Sequence, residues 1–151
     1  MFEMDVVKHP WLLAAAVASV IASLLHIAII FGGADWYRFF GAGEGMAQMA
    51  EQGSMRPTLI TLFIAAVLAG FALYAISGAG YVPALPFRKA ALLLITALFT
   101  VRALAGLILP FVTSHPAIAQ NTTTFWMVSS CICLLLGFCF LRGTLNAWQD
   151  L

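Results

Sequence analysis

A chain of 151 residues that is 63% hydrophobic and 9% charged, with mean hydropathy +1.01, lacks the polar side chains needed to coat a soluble globule of that size. Its net charge is +1 and its basic residues are scattered, which sets nucleic-acid binding aside. A hydrocarbon layer ~30 Å thick takes ~20 apolar residues per helical span, so this length holds four spans with short connections and no separate soluble domain.

The polar start, with Glu3, Asp5, Lys8 and His9, gives way at Pro10 to an apolar run over residues 11–31, the first span. Ala16-Val17-Ala18 has the small-x-small look of a signal-peptide cleavage site, but the run is longer than a signal-peptide core, so an uncleaved span is expected. Ala15, Ser19, Ala22 and His26 share one face of it, the kind of small-residue face that membrane helices use for close approach, and His26 is expected to face protein.

Gly32 and Gly33 end that helix and open an outer loop, residues 32–56, in which Trp36 and Tyr37 suit an aromatic belt. Over residues 42–52, Glu44, Gln48 and Glu51 fall on one side of a helix and Met46 and Met49 on the other, which predicts a short amphipathic helix lying in the interface. Ser54 is placed to cap the second span, residues 57–76, where Ala65, Ala69 and Ala72 suggest a second small-residue face.

A Gly- and Pro-punctuated turn leads to the third span, residues 89–109, which Pro110 is expected to stop and which contains Arg102, the only full charge deep in any span. Thr122 or Asn121 can cap the fourth, residues 123–141, with Ser130, Cys133 and Gly137 as its close-packing face. The fold expected is therefore an all-α bundle of four transmembrane helices with one short amphipathic helix. Lys8, Arg88, Lys89 and Arg142 on one side against Arg38 and Arg56 on the other predict both termini in the cytoplasm.

At 1.5 Å per residue, His26 lies ~22 Å beyond Trp11, and Arg102 ~20 Å beyond Lys89 on the same axis. Both fall in the outer half of the bilayer. A charge at mid-membrane costs roughly 2.5–3.5 kcal/mol or more, so a carboxylate from the loop is the expected partner for Arg102, with Glu44 ahead of Asp35 and Glu51. The candidate polar cluster is His26, Asp35, Arg38, Glu44, Glu51 and Arg102, read first as a structural clasp on the loop.

No metal or cofactor is expected. Cys131 and Cys133 stand two apart on a helix and point ~200° away from each other, which prevents chelation of one metal by that pair. They and Cys139 suit small packing positions instead. The GAGEG run lacks the Lys and Ser or Thr of a phosphate loop, and the loop acids lack the ordered spacing of a calcium site. Arg88 and Lys89 suit anionic headgroups of membrane lipids.

Families of similar size fail on particular residues: no span carries the acid that couples protons in small multidrug transporters, and no C-x-x-C suits a vitamin K epoxide reductase-like protein. The motifs of the trimeric glutathione-handling membrane enzymes are also lacking. The stretch HIAIIFGGADWYRFFGAGEGMAQMAEQGSMRPTLIT, residues 26–61, together with AISGAG at 75–80 and VRALAG at 101–106, resembles the AciT-like group of small four-helix inner-membrane proteins of Gram-negative bacteria. That resemblance implies a homotrimer in the cytoplasmic membrane that supports the cell envelope. The functional expectation is accordingly a non-enzymatic oligomeric membrane protein. Two alternatives stand beside it: a solute or ion transporter using His26 and Arg102, and a membrane enzyme acting on lipid or thiol with His26 as base.

Overall fold

The computed structural model describes residues 8–151. Its helices are α1 (Pro10–Gly32), α2 (Ala34–Phe39), α3 (Glu44–Glu51), α4 (Arg56–Gly78), α5 (Arg88–Val112), α6 (Pro116–Ala119) and α7 (Thr123–Asn146). The long helices α1, α4, α5 and α7 have apolar stretches of mean hydropathy 2.1 to 2.5, of which only 28% of residues are buried inside the protein. A soluble bundle turns its apolar residues inward; this one presents most of them outward, as a bilayer requires. The chain is an all-helical, multi-pass membrane protein.

Local chemistry sets the helix ends close to their expected places. Pro10 opens α1, where its missing N–H costs nothing. Gly33 closes it with φ 75°, donating its N–H to the Ile29 carbonyl, in a backbone conformation that glycine adopts without strain. The Thr122 hydroxyl accepts from the Phe125 N–H and caps α7. Ser54 accepts the Arg56 N–H at 3.2 Å, although Met55 is the residue flanking α4.

Three expectations are corrected. Pro110 does not stop the third span, because it sits within the last turn of α5, which continues to Val112; a proline there removes only one late hydrogen bond. The loop holds a second helix, α2, and its Tyr37 is not in an interfacial belt but buried at 3% exposure. On α4 the inward face is Thr61, Ala65, Leu68, Ala72 and Ala75, with Ala69 turned outward.

The spans form two tight pairs, α1 along α4 and α5 along α7, and α1 also packs on α7. Small residues permit the close approach: the Ser23 hydroxyl donates to the Ala65 carbonyl at 2.7 Å across α1 and α4, and Gly143 of α7 lies against Leu12 of α1. Leu12, Leu92, Ile95, Phe99, Leu136 and Phe140 fill the shared core. Phe99 stacks on Phe140 and meets Phe71 edge-on, both at 5.8 Å between ring centroids. That Phe71 contact is part of a sparse seam between α4 and α5.

The end holding His9, the 79–87 turn and Asp150 is tied by polar contacts. Arg88 donates to the Ser77 carbonyl at 2.9 Å and the Asp150 carbonyl at 2.8 Å, His9 meets the Asp150 carboxylate at 2.9 Å, and Lys89 stands over Trp148 at 4.6 Å. We call this the proximal end. The distal end carries α2, α3 and α6.

Candidate functional site

At the distal end α2 and α3 fold back onto the spans, because Tyr37, Ala47 and Ile29 bury one another with Phe40, Met46 and Ala50 packed around them. Glu44, Gln48 and Glu51 remain exposed on the other face of α3, as its periodicity predicts. Those acids find their cation within the loop. Arg38 donates from Nε and Nη2 to the two oxygens of Glu44, both at 2.8 Å, reaches Glu51 at 2.8 Å, and meets Asp35 at 3.1 Å. The two-pronged bond to Glu44 suits the planar guanidinium. It raises the Arg38 pKa and holds the Glu44 carboxyl below the usual range, with the Arg38 hydrogen bond as the largest cause.

The expected pairing of Arg102 with Glu44, or with Asp35 or Glu51, is therefore replaced. Arg102 reaches across to α7, donating from Nη1 to Ser130 Oγ and from Nη2 to Ser129 Oγ, each at 3.2 Å, while its guanidinium lies 4.9 Å from the Trp126 ring centroid. Gly106 makes the reach possible, since a methyl group there would overlap the Ser130 hydroxyl and the Arg102 guanidinium. Trp126 is itself fixed by its indole N–H, which donates to the Ile118 carbonyl at 2.9 Å. Two hydroxyls and a π-face offset part of the charge's desolvation without neutralising it.

Every Asp and Glu side chain among the described residues is engaged elsewhere: Asp35, Glu44 and Glu51 on Arg38, and Asp150 on His9. Arg102 stands without a counter-ion among them. It lines a cavity of about 410 Å³ together with His26 and Ile29 of α1, Tyr37 and Phe40 of the loop, Ile60, Thr61 and Ile64 of α4, and Phe125 and Trp126 of α7. That volume lies in the usual range for small-molecule sites, ~300–1,000 Å³. The turn through Gly41 and Ala42, with Met46, forms the loop's side of it. Gly41, at φ 83°, sits so close to the Phe125 ring that a methyl group could not fit, and its carbonyl accepts from Asn121 at 3.2 Å.

His26 Nδ1 lies 2.7 Å from the Ala22 carbonyl. A carbonyl only accepts, so Nδ1 carries a proton, and in the neutral ring Nε2 keeps its lone pair free. The Thr61 hydroxyl donates to the Pro57 carbonyl at 2.8 Å and lies 3.3 Å from the Tyr37 hydroxyl.

The six-residue cluster is thus two arrangements. His26 and Arg102 share the cavity, whereas Asp35, Arg38, Glu44 and Glu51 form an exposed clasp within the loop. Sequence reasoning missed Tyr37, Trp126 and Ser129. The signal for two of them was present, since Trp126, Ser129 and Ser130 fall at i, i+3 and i+4 and so share one face of α7. No group of three metal-ligating side chains lies together among the described residues. No protein-family model, curated protein or solved structure was found to match the chain.

Proposed function

We propose that this is a non-catalytic membrane protein that binds an anionic group in its distal cavity, with Arg102 as the cation and His26 as the second polar contact. The observation that carries this reading is Arg102 facing a cavity while every described Asp and Glu side chain is engaged elsewhere. A purely structural arginine would be cheapest paired with an acid, and the three acids of the loop instead converge on Arg38. A count of four Lys and Arg against two supports an orientation with the termini in the cytoplasm and the cavity toward the outer side, and the resemblance carried by residues 26–61 supports the bacterial cytoplasmic membrane.

The test is direct. Protein extracted from membranes in a mild non-ionic detergent should retain a negatively charged molecule, found by solvent extraction and negative-ion mass spectrometry, and Arg102→Gln should lose it. Equal retention by both proteins would remove the basis of the reading.

A homo-oligomer that supports the cell envelope is the second reading. In its favour, Ala66 and Ala69 of α4 are exposed and a side chain at Gly70 would meet nothing within this chain. Such a surface suits close approach of another helix.

A further inference from the structure

Resting on the anion-binding reading, we infer that the distal cavity takes the carboxyl end of a long-chain fatty acid, which arrives from the hydrocarbon between α4 and α5. Four observations converge on this. The first is the route. Ile60 and Ile64 line the cavity from α4, and Leu59 and Phe63 beside them, which do not line it, are 61% and 70% exposed on the same membrane-spanning helix, so the cavity wall borders the lipid-facing surface. The seam between α4 and α5 is sparse, and its Phe71–Phe99 contact lies on the proximal side of these residues.

The second is the aqueous side. Gly41, Ala42 and Met46 form the loop wall of the cavity, and at that end the acids Asp35, Glu44 and Glu51 outnumber the cations Arg38 and Arg56. An anion approaching from water meets net negative charge first.

The third is depth. Arg102 lies ~20 Å along α5 from Lys89, which leaves it ~10 Å below the far edge of a ~30 Å hydrocarbon layer. A phosphodiester would have to sink there charged, at a cost of several kcal/mol. A carboxylic acid can travel neutral and ionise on arrival.

The fourth is a proton acceptor in the right tautomer. With Nδ1–H held by the Ala22 carbonyl, the free lone pair of His26 Nε2 is available in the same cavity as Arg102. The acid's O–H breaks and an Nε2–H bond forms, leaving a carboxylate beside the Arg102 guanidinium and an imidazolium at His26. No other reactant is consumed. Tyr37 of α2 and Arg102 of α5 are the other titratable or charged groups lining this cavity. The acyl chain extends past Ile60 and Ile64 into the lipid.

The experiment adds oleate, oleyl alcohol, butyrate, inorganic phosphate or phosphatidylglycerol to the full chain in non-ionic detergent and counts adducts by native mass spectrometry. Expected is one oleate per chain, with retention falling about tenfold or more in Arg102→Gln, as for loss of a charged hydrogen bond. It should fall also in Ile64→Trp, which narrows the lipid-side wall and leaves both polar groups in place, and partly in His26→Gln. Oleyl alcohol should not be retained. Helicity by circular dichroism checks each variant; should Arg102→Gln misfold, Ile64→Trp and the acid-against-alcohol comparison on the unaltered chain decide.

Arg102-dependent retention of butyrate or phosphate as strong as that of oleate would overturn the fatty acid and spare the anion site. Equal retention of phosphatidylglycerol would overturn the neutral-acid route. Retention of no anion, or equal retention by Arg102→Gln, would overturn both readings.

Discussion

Arg38 and Arg102 place the same guanidinium in opposite surroundings, three carboxylates around the first and none described around the second. The difference predicts separable phenotypes. Arg38→Gln should expose the distal loop to protease, because three acids then repel one another with no cation between them, whereas Arg102→Gln should leave loop cleavage unchanged. Acid should mimic the first substitution. Glu44 is held below the ordinary glutamate value of about 4.3, so the stability it lends the clasp is full above that value and is lost as pH falls through its lower folded value. Loop proteolysis by an acid-active protease should therefore rise as pH falls below the ordinary glutamate range in the unaltered chain, with little further rise in Glu44→Gln; a pH-independent cleavage rate would refute the clasp.

At this scale the charged side chains of the loop and of α5 were legible in the sequence, but not how they pair. A deep arginine and three loop acids suggested one ion pair, since a charge in hydrocarbon wants an opposite charge. What depth counting cannot show is lateral position. Arg102 points toward α7, where Ser129, Ser130 and Trp126 are within reach, and Arg38 gives the three acids a nearer cation within the loop.

Among the elements, α5 and α7 meet with no room for added volume at Gly106. Gly106→Ala should push Arg102 off Ser130 and destabilise the bundle by about 1–3 kcal/mol, as overpacking does. Gly45→Ala, in open space on α3, should be neutral or stabilise by up to ~1 kcal/mol through helix propensity. Unfolding in mixed detergent micelles compares the two. Helix type and span starts were legible because Pro10 and Thr122 act locally at termini and hydropathy acts over whole spans, whereas Pro110 lies inside α5 and α7 runs on to Asn146, past the expected end at 141. Tyr37 was misread for the converse reason: an aromatic near a span end looks interfacial unless the loop folds back over it, which depends on residues as distant as Ile29 and Ala47.

For the whole molecule, hydropathy specified that four helices cross a membrane but not which of them adjoin. The pairing of α1 with α4 and of α5 with α7 comes from matched small residues and leaves the outward stripe of Ala66, Ala69 and Gly70 without a partner in the chain. If copies associate through that stripe, Gly70→Leu should shift the mass measured by light scattering in detergent toward the monomer, while α1 and α4 remain packed. An unchanged mass would place any association elsewhere.

Trp126 has a further consequence. Its indole is anchored at the nitrogen by Ile118, lies against the Arg102 cation and lines the cavity, while Trp11, Trp36 and Trp148 are absent from the lining. A cation against an indole ring alters its emission, so anything that draws the guanidinium away should change fluorescence colour or intensity. If the cavity takes a ligand as proposed, Trp126 is an optical gauge of its occupancy, readable by titration in a chain whose other three tryptophans are replaced by phenylalanine, with no dye or label attached.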